Sequence, residues 1–176
     1  MNFYCISVLT GFEERYKDKI QKKLNAFDSK IQGKIHFLKK QMRLKHGKEY
    51  FEAFFPGYVF LETNETKESV LRETAKEKEF LRFLPSNTDI LPLGERDKNI
   101  VSTILSFGST IGILPVTFDE GDKIVILSGL FKGLSGRVVA VNRRNKRVNI
   151  ELDFMGNAKV VGLTYEEIKK QPKQIE

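Results

Sequence analysis

The chain has one cysteine and two histidines among its 176 residues. With Cys5 alone, no disulfide can close within the chain, and a reducing, cytoplasmic setting is expected. His36 and His46 stand apart, with no cysteine or carboxylate partner at ligand spacing, so no metal site is expected. Two histidines also leave few general bases. There is no nucleophile elbow, phosphate-binding loop or paired-carboxylate pattern, so neither catalysis nor a cofactor is expected. No apolar run approaches the ~20 residues that a membrane-spanning helix needs. The opening Met1-Asn2-Phe3-Tyr4 lacks the basic region of a secretory signal, so no membrane partner is expected. Acidic residues are missing from two long stretches, 29–48 and 123–147, each holding seven lysines and arginines. With a net charge of +7, these stretches point to a polyanionic partner. The remaining composition, 40% apolar and 30% charged, is that of an ordinary soluble globular chain.

What is abundant is aromatic. Phe54, Phe55, Tyr58 and Phe60 are four of the nineteen aromatic residues and fall within seven positions. Pro56 fixes φ and Gly57 frees it, so a sharp entry should precede a strand at 58–62. Alternation puts Phe55, Val59 and Leu61 on one face and Tyr58, Phe60 and Glu62 on the other. Either the strand is covered on both sides, or the second face is a docking surface for another protein.

The residues before it read as a strand at 3–9, with Cys5 a small core residue, then an amphipathic helix at 12–26. Phe12, Tyr16, Ile20, Leu24 and Phe27 form the stripe of that helix. Thr10 and Glu13 have the form of a capping box with Thr10 as N-cap. A second strand is expected at 35–38 and a basic hairpin tip at 42–49, turning at Gly47. After the aromatic strand come a helix at 66–78 on the stripe Val70, Leu71 and Ala75, a strand at 80–84, and a helix at 95–107. The last of these starts on acids and is stopped by Gly108. Such an order argues for an α+β domain with a mostly antiparallel sheet flanked by helices. Residues 109–117 break the pattern and are expected to be a linker between domains at 1–108 and 118–176. Four short strands, at 123–127, 137–141, 148–152 and 159–163, then imply a small all-β barrel.

The run from Gly121 to Val138 carries Gly129, Phe131, Gly133 and Gly136 between two strands, and it resembles the KOW motif, a module that binds RNA or protein. Together with Phe54-Phe55-Pro56-Gly57-Tyr58-Val59, with the opening Phe3-Tyr4 through Glu13, and with Arg82-Phe83-Leu84 and Pro92, it makes nearly the whole chain resemble the NusG family of transcription elongation factors, in which an NGN domain precedes a KOW barrel.

The resemblance implies that the NGN domain docks on the clamp helices of RNA polymerase through an aromatic patch, at matching positions Phe55, Tyr58 and Phe60. Ser69 falls near the position that meets the opposing lobe. Bridging the two would suppress pausing and termination without any catalytic group. The basic tip, with Lys39, Lys40, Arg43, Lys45 and Lys48, would face non-template DNA. In the barrel, Phe131, Phe154 and Met155 match the positions that meet a protein partner such as a ribosomal protein. The usual arginine of that loop is missing here, because the sequence reads Phe154-Met155-Gly156-Asn157. The cations Lys132, Arg137, Arg143, Arg144, Lys146 and Arg147 suit the backbone of a nascent RNA hairpin instead. This balance is similar to the specialised antitermination paralogs of the LoaP and RfaH kind, and to LoaP more than RfaH, because the barrel segment has no helical period. The protein is expected to act as a monomer. The competing readings are a general housekeeping member of the family and a ribosome-associated KOW protein.

Overall fold

Tyr4, Ile6 and Val8 point to one side of the first strand, Phe3 and Cys5 to the other, and all five are buried. A strand with both faces covered belongs at the centre of a sheet. In the computed structural model, which describes residues 1–26, 32–132 and 137–168, this strand, β1 (Asn2–Val8), lies between two others. Phe27, Gly133 and Gly136 fall outside the described residues, as do the side chains of Val70 and Arg137. In chain order the elements are β1, α1 (Glu13–Leu24), β2 (Gly33–His36), β3 (Lys39–Arg43), β4 (Glu49–Ala53), β5 (Tyr58–Thr63), α2 (Glu68–Leu71), β6 (Phe80–Leu84), α3 (Glu95–Ser106), β7 (Thr110–Ile111), β8 (Leu114–Phe118), β9 (Ile124–Ile126), β10 (Arg137–Asn142), β11 (Arg147–Phe154) and β12 (Asn157–Glu167).

Two units emerge. The first comprises Met1–Lys39 and Ala53–Ser109, the second Lys40–Glu52 and Thr110–Glu176. In the first, β2, β5, β1 and β6 form one sheet in that order, and the pairs β2–β5, β5–β1 and β1–β6 are all antiparallel. One face carries Tyr4, Ile6, Val59, Leu61, Ile35 and Phe83, packed with Tyr16, Ile20 and Leu24 of α1 and with Leu71. The other face carries Phe3, Cys5 and Phe60. Lys98, Ser102 and Leu105 of α3 line one cleft with Phe3 of this face and His36 of β2, and α3 buries Ile100, Val101 and Ile104. Burial, with Asp97 adding to it, pushes the Cys5 thiol up to about 12, so it is an inert core group.

The start of α1 departs from expectation. Its N-cap is Phe12, without a side-chain cap bond, so the capping box on Thr10 is not formed. Glu13 reaches back instead, accepting from the Gly11 N–H at 2.8 Å and from the Gly57 N–H at 2.7 Å. One buried carboxylate thus ties the helix start to the Pro56-Gly57 turn. The expected helix at 66–78 is a single α turn followed by a 3-10 stretch at Arg72–Lys76. Gly108, at φ 93, closes α3 as expected, its N–H donating to the Leu105 carbonyl at 3.0 Å.

Another carboxylate, Glu79, is buried between Arg15 at 3.2 Å and Lys19 at 3.0 Å. The Lys19 hydrogen bonds are the main cause that lowers its pKa. A carboxylate whose folded pKa lies below the unfolded value of about 4.3 stabilises the fold above that pH, and this support is lost as pH falls through the folded pKa. Glu79→Gln should therefore lower the thermal midpoint at neutral pH and flatten its decline in acid. Melting curves across the acid range check this, and parallel curves for the two proteins would refute it.

The second unit is all β. Its main sheet runs β10-β11-β12-β8-β9, with β12 and β8 parallel (Tyr165 opposite Leu114) and the other neighbours antiparallel. Val148, Ile150, Leu152 and Phe154 of β11 and Val161, Leu163 and Tyr165 of β12 line its interior, so the sheet curls into the small barrel that the KOW resemblance implies. Beside it lies a three-stranded sheet in the order β4-β3-β7. Residues 109–117, expected as a linker, hold β7 and all but the last residue of β8. The basic hairpin β3–β4 belongs to the unit of the barrel, although its sequence interrupts the first unit. Among the described residues, no helix is long and apolar enough to cross a membrane.

Candidate interaction surfaces

The aromatic strand is mostly core. Phe60 is 0% exposed and Phe55 3%, so two of the three rings expected on a docking patch are sealed inside the first unit. Phe55 sets its edge against both Phe54 and Phe60, with ring centroids 4.7 and 6.2 Å apart. The helix α3, distant in sequence, borders this same face at Phe3 and His36. Only Tyr58 reaches solvent. It pairs with Ser7, and Ser7 with Arg82, so Tyr58, Ser7 and Arg82 form one row across the sheet. The next row, Phe60, Cys5 and Leu84, is buried. The second face therefore grades from closed to half-open toward Tyr58. Ser69 lies exposed on α2.

His36 and Glu62 meet on the closed side, Nε2 to Oε2 at 2.8 Å, and burial lowers the His36 pKa despite the carboxylate. They border a cleft of about 1030 Å³ in the first unit, between α1, β2 and α3.

The basic residues separate into engaged and unengaged sets. Lys39 pairs with Glu14 at 3.0 Å. Lys40 donates to the Gly162 carbonyl at 2.9 Å and lies 3.4 Å from Glu52. Arg43 grips Glu49 at 2.8 Å, which raises its pKa, and Glu166 stands 3.7 Å away. Arg143 meets Asp122 at 2.5 Å and lies over the Phe118 ring at 4.0 Å. Lys146 is loosely matched to Glu167 at 3.9 Å. Arg147 has no carboxylate partner among the described residues and serves as a fastener between barrel and hairpin. Its guanidinium donates to the Thr164 hydroxyl, to the Arg43 carbonyl at 2.9 Å and to the Tyr50 hydroxyl at 3.4 Å. Arg147, expected to meet RNA, engages the hairpin and Thr164 through both terminal nitrogens of its guanidinium. Lys45, Lys48, Lys132 and Arg144 are exposed, with no carboxylate among the described residues engaging them.

The expected protein-contact residues of the barrel are also largely interior. Phe154 is fully buried and Phe131 nearly so, while Met155 is half-buried in a turn at φ 52. Gly129, at φ 88, takes the left-handed conformation that its place in the loop requires.

Known proteins resemble this chain along most of its length. Residues 1–102 match the family profile described as "Transcription termination factor nusG", and residues 120–151 match the KOW motif. The transcription termination/antitermination protein NusG of Streptococcus pyogenes serotype M3 is 29% identical over 165 residues, covering 90% of this chain and 89% of that protein. The protein of the same name from Thermus thermophilus is 26% identical over 186 residues, covering 97% and 98%. A solved structure of Thermotoga maritima NusG superposes with a TM-score of 0.62 at 22% identity, over 93% of each chain, and shares the fold.

Proposed function

This chain belongs to the NusG family, and from that premise we propose that it is a transcription elongation and antitermination factor. Its first unit rides on the clamp helices of RNA polymerase and suppresses pausing and termination, while its second unit meets nascent RNA. Tyr58 carries the reading. It is the half-open ring at the edge of an otherwise closed aromatic face, one row from the buried Phe60. A rigid ring on a packed base loses little freedom on docking, which is what a hot spot requires. Ser69, exposed on α2, is the second contact, toward the opposing lobe. Differential binding to the closed polymerase is then enough to act, and no chemistry is needed.

Tyr58→Ala should weaken binding to purified core polymerase about tenfold, with the melting temperature unchanged. Recovery equal to wild type would remove Tyr58 from the interface.

The finer assignment, a specialised paralog of the LoaP kind, rests on the barrel. Of the four cations at 143–147, Arg144 stands exposed without a close carboxylate among the described residues and Lys146 exposed with Glu167 no nearer than 3.9 Å, and the Phe-Met-Gly-Asn turn lacks the arginine expected of a protein-binding loop. The burial of Phe131 and Phe154 further favours RNA over a ribosomal protein as the barrel's partner.

A further inference from the structure

We propose that the hairpin tip and the barrel loop are the two walls of one nucleic-acid site, a cleft that takes the phosphate backbone of a double-stranded RNA stem. The proposal rests on the reading above that the second unit meets RNA, and adds where and how. In sequence the two basic segments lie about a hundred residues apart. In the structure Arg43, Leu44, Lys45 and Gly47 of the hairpin face Arg144, Asn145 and Lys146 of the barrel loop across a cleft of about 590 Å³. Its floor is the end of β12, Thr164 through Glu167.

The charges select the ligand. Arg43, Lys45, Arg144 and Lys146 line the cleft against two carboxylates, Glu166 and Glu167. Those carboxylates are matched to Arg43 and Lys146, at 3.7 and 3.9 Å. What is left over, among the described residues, is one unmatched cation on each wall, Lys45 and Arg144. An unmatched cation holds counterions that phosphate binding releases. Burial selects further. Tyr165, the one aromatic residue of the lining, is 2% exposed, so the cleft offers no ring for an unstacked base. Phosphates held on both sides, with no stacking platform, suit a stem read through its backbone.

The walls are held at fixed spacing. The Arg147 guanidinium joins the Arg43 carbonyl to Thr164, the Arg43 N–H donates to the Thr164 hydroxyl at 3.2 Å, and Lys40 reaches the Gly162 carbonyl. The site therefore exists before the ligand arrives.

The experiment is a salt titration of binding between the full chain and a short RNA stem-loop, repeated for Lys45→Gln, Arg144→Gln, the double variant, and Lys78→Gln as an exposed charge control in the first unit. The slope of log affinity against log salt should shrink by about one for each of Lys45→Gln and Arg144→Gln and by about two for the pair. The Lys78→Gln slope should match wild type. If Arg144→Gln alone changes the slope, the shared site is overturned and RNA binding by the barrel loop stands. If wild type shows no salt-dependent binding to the stem, the reading beneath it fails too. A DNA duplex of the same sequence bound as tightly as the RNA overturns the assignment to RNA.

Discussion

Phe60→Ala should unfold much of the first unit, at a cost of about 3–5 kcal/mol, the range for emptying a buried aromatic site. The ring is fully buried, pairs through its backbone with Cys5 and His36 on both neighbouring strands, and meets the Phe55 ring edge-on. The central position in the sheet leaves nothing free to collapse into the space. Urea denaturation followed by circular dichroism measures the loss, and a cost below about 1 kcal/mol would mean the ring is less enclosed than its surroundings indicate. The result matters for function as well. A polymerase-binding assay on Phe60→Ala would report a damaged fold, whereas Tyr58→Ala tests the surface.

The second large effect is expected at Arg147. Arg147→Ala removes donors to the Arg43 carbonyl and to the Thr164 and Tyr50 hydroxyls in a half-buried setting. Hydrogen bonds from a charged donor contribute roughly 1.5–3 kcal/mol each where the acceptors are left unmet, with partial recovery as water enters. Loss of about 2–3 kcal/mol from the second unit is the expected net. Because the contacts bind hairpin to barrel, amide exchange at β3 and β4 should quicken far more than at β11. Uniform quickening across the unit would argue against a local fastening role. Arg147→Lys keeps the charge but cannot serve three acceptors in a fork, and should recover little.

Much of the architecture was legible in the chain. The period of Tyr16, Ile20 and Leu24 marks α1, the acids at Glu95 and Asp97 mark the start of α3, and Gly47, Gly108 and Gly129 sit where φ must be positive. These signals are local. What escaped was set by partners far along the chain. Alternation along β5 shows two apolar faces but cannot say that α3, forty residues later, borders the second. The status of each cation escaped for the same reason. Arg143 is matched by Asp122 across 21 positions, and Lys40 is held by Gly162 across 122. A nearer signal was available for the hairpin. Glu49 and Glu52 follow the basic run directly and face Arg43 and Lys40 across the turn. The capping box failed on a competing use of Glu13, whose second oxygen is taken by Gly57, 44 residues away.

The placement of β3 and β4 has a practical consequence for anyone dividing the chain. Because the second unit is assembled from two separate pieces, the backbone passes between units three times, near residues 39, 52 and 109. A single protease nick at 109–117 would therefore release a barrel stripped of its hairpin and leave that hairpin attached to the wrong fragment. Halves expressed separately should each carry a raw edge, and the cleft between hairpin and barrel loop should reappear only when the two are mixed.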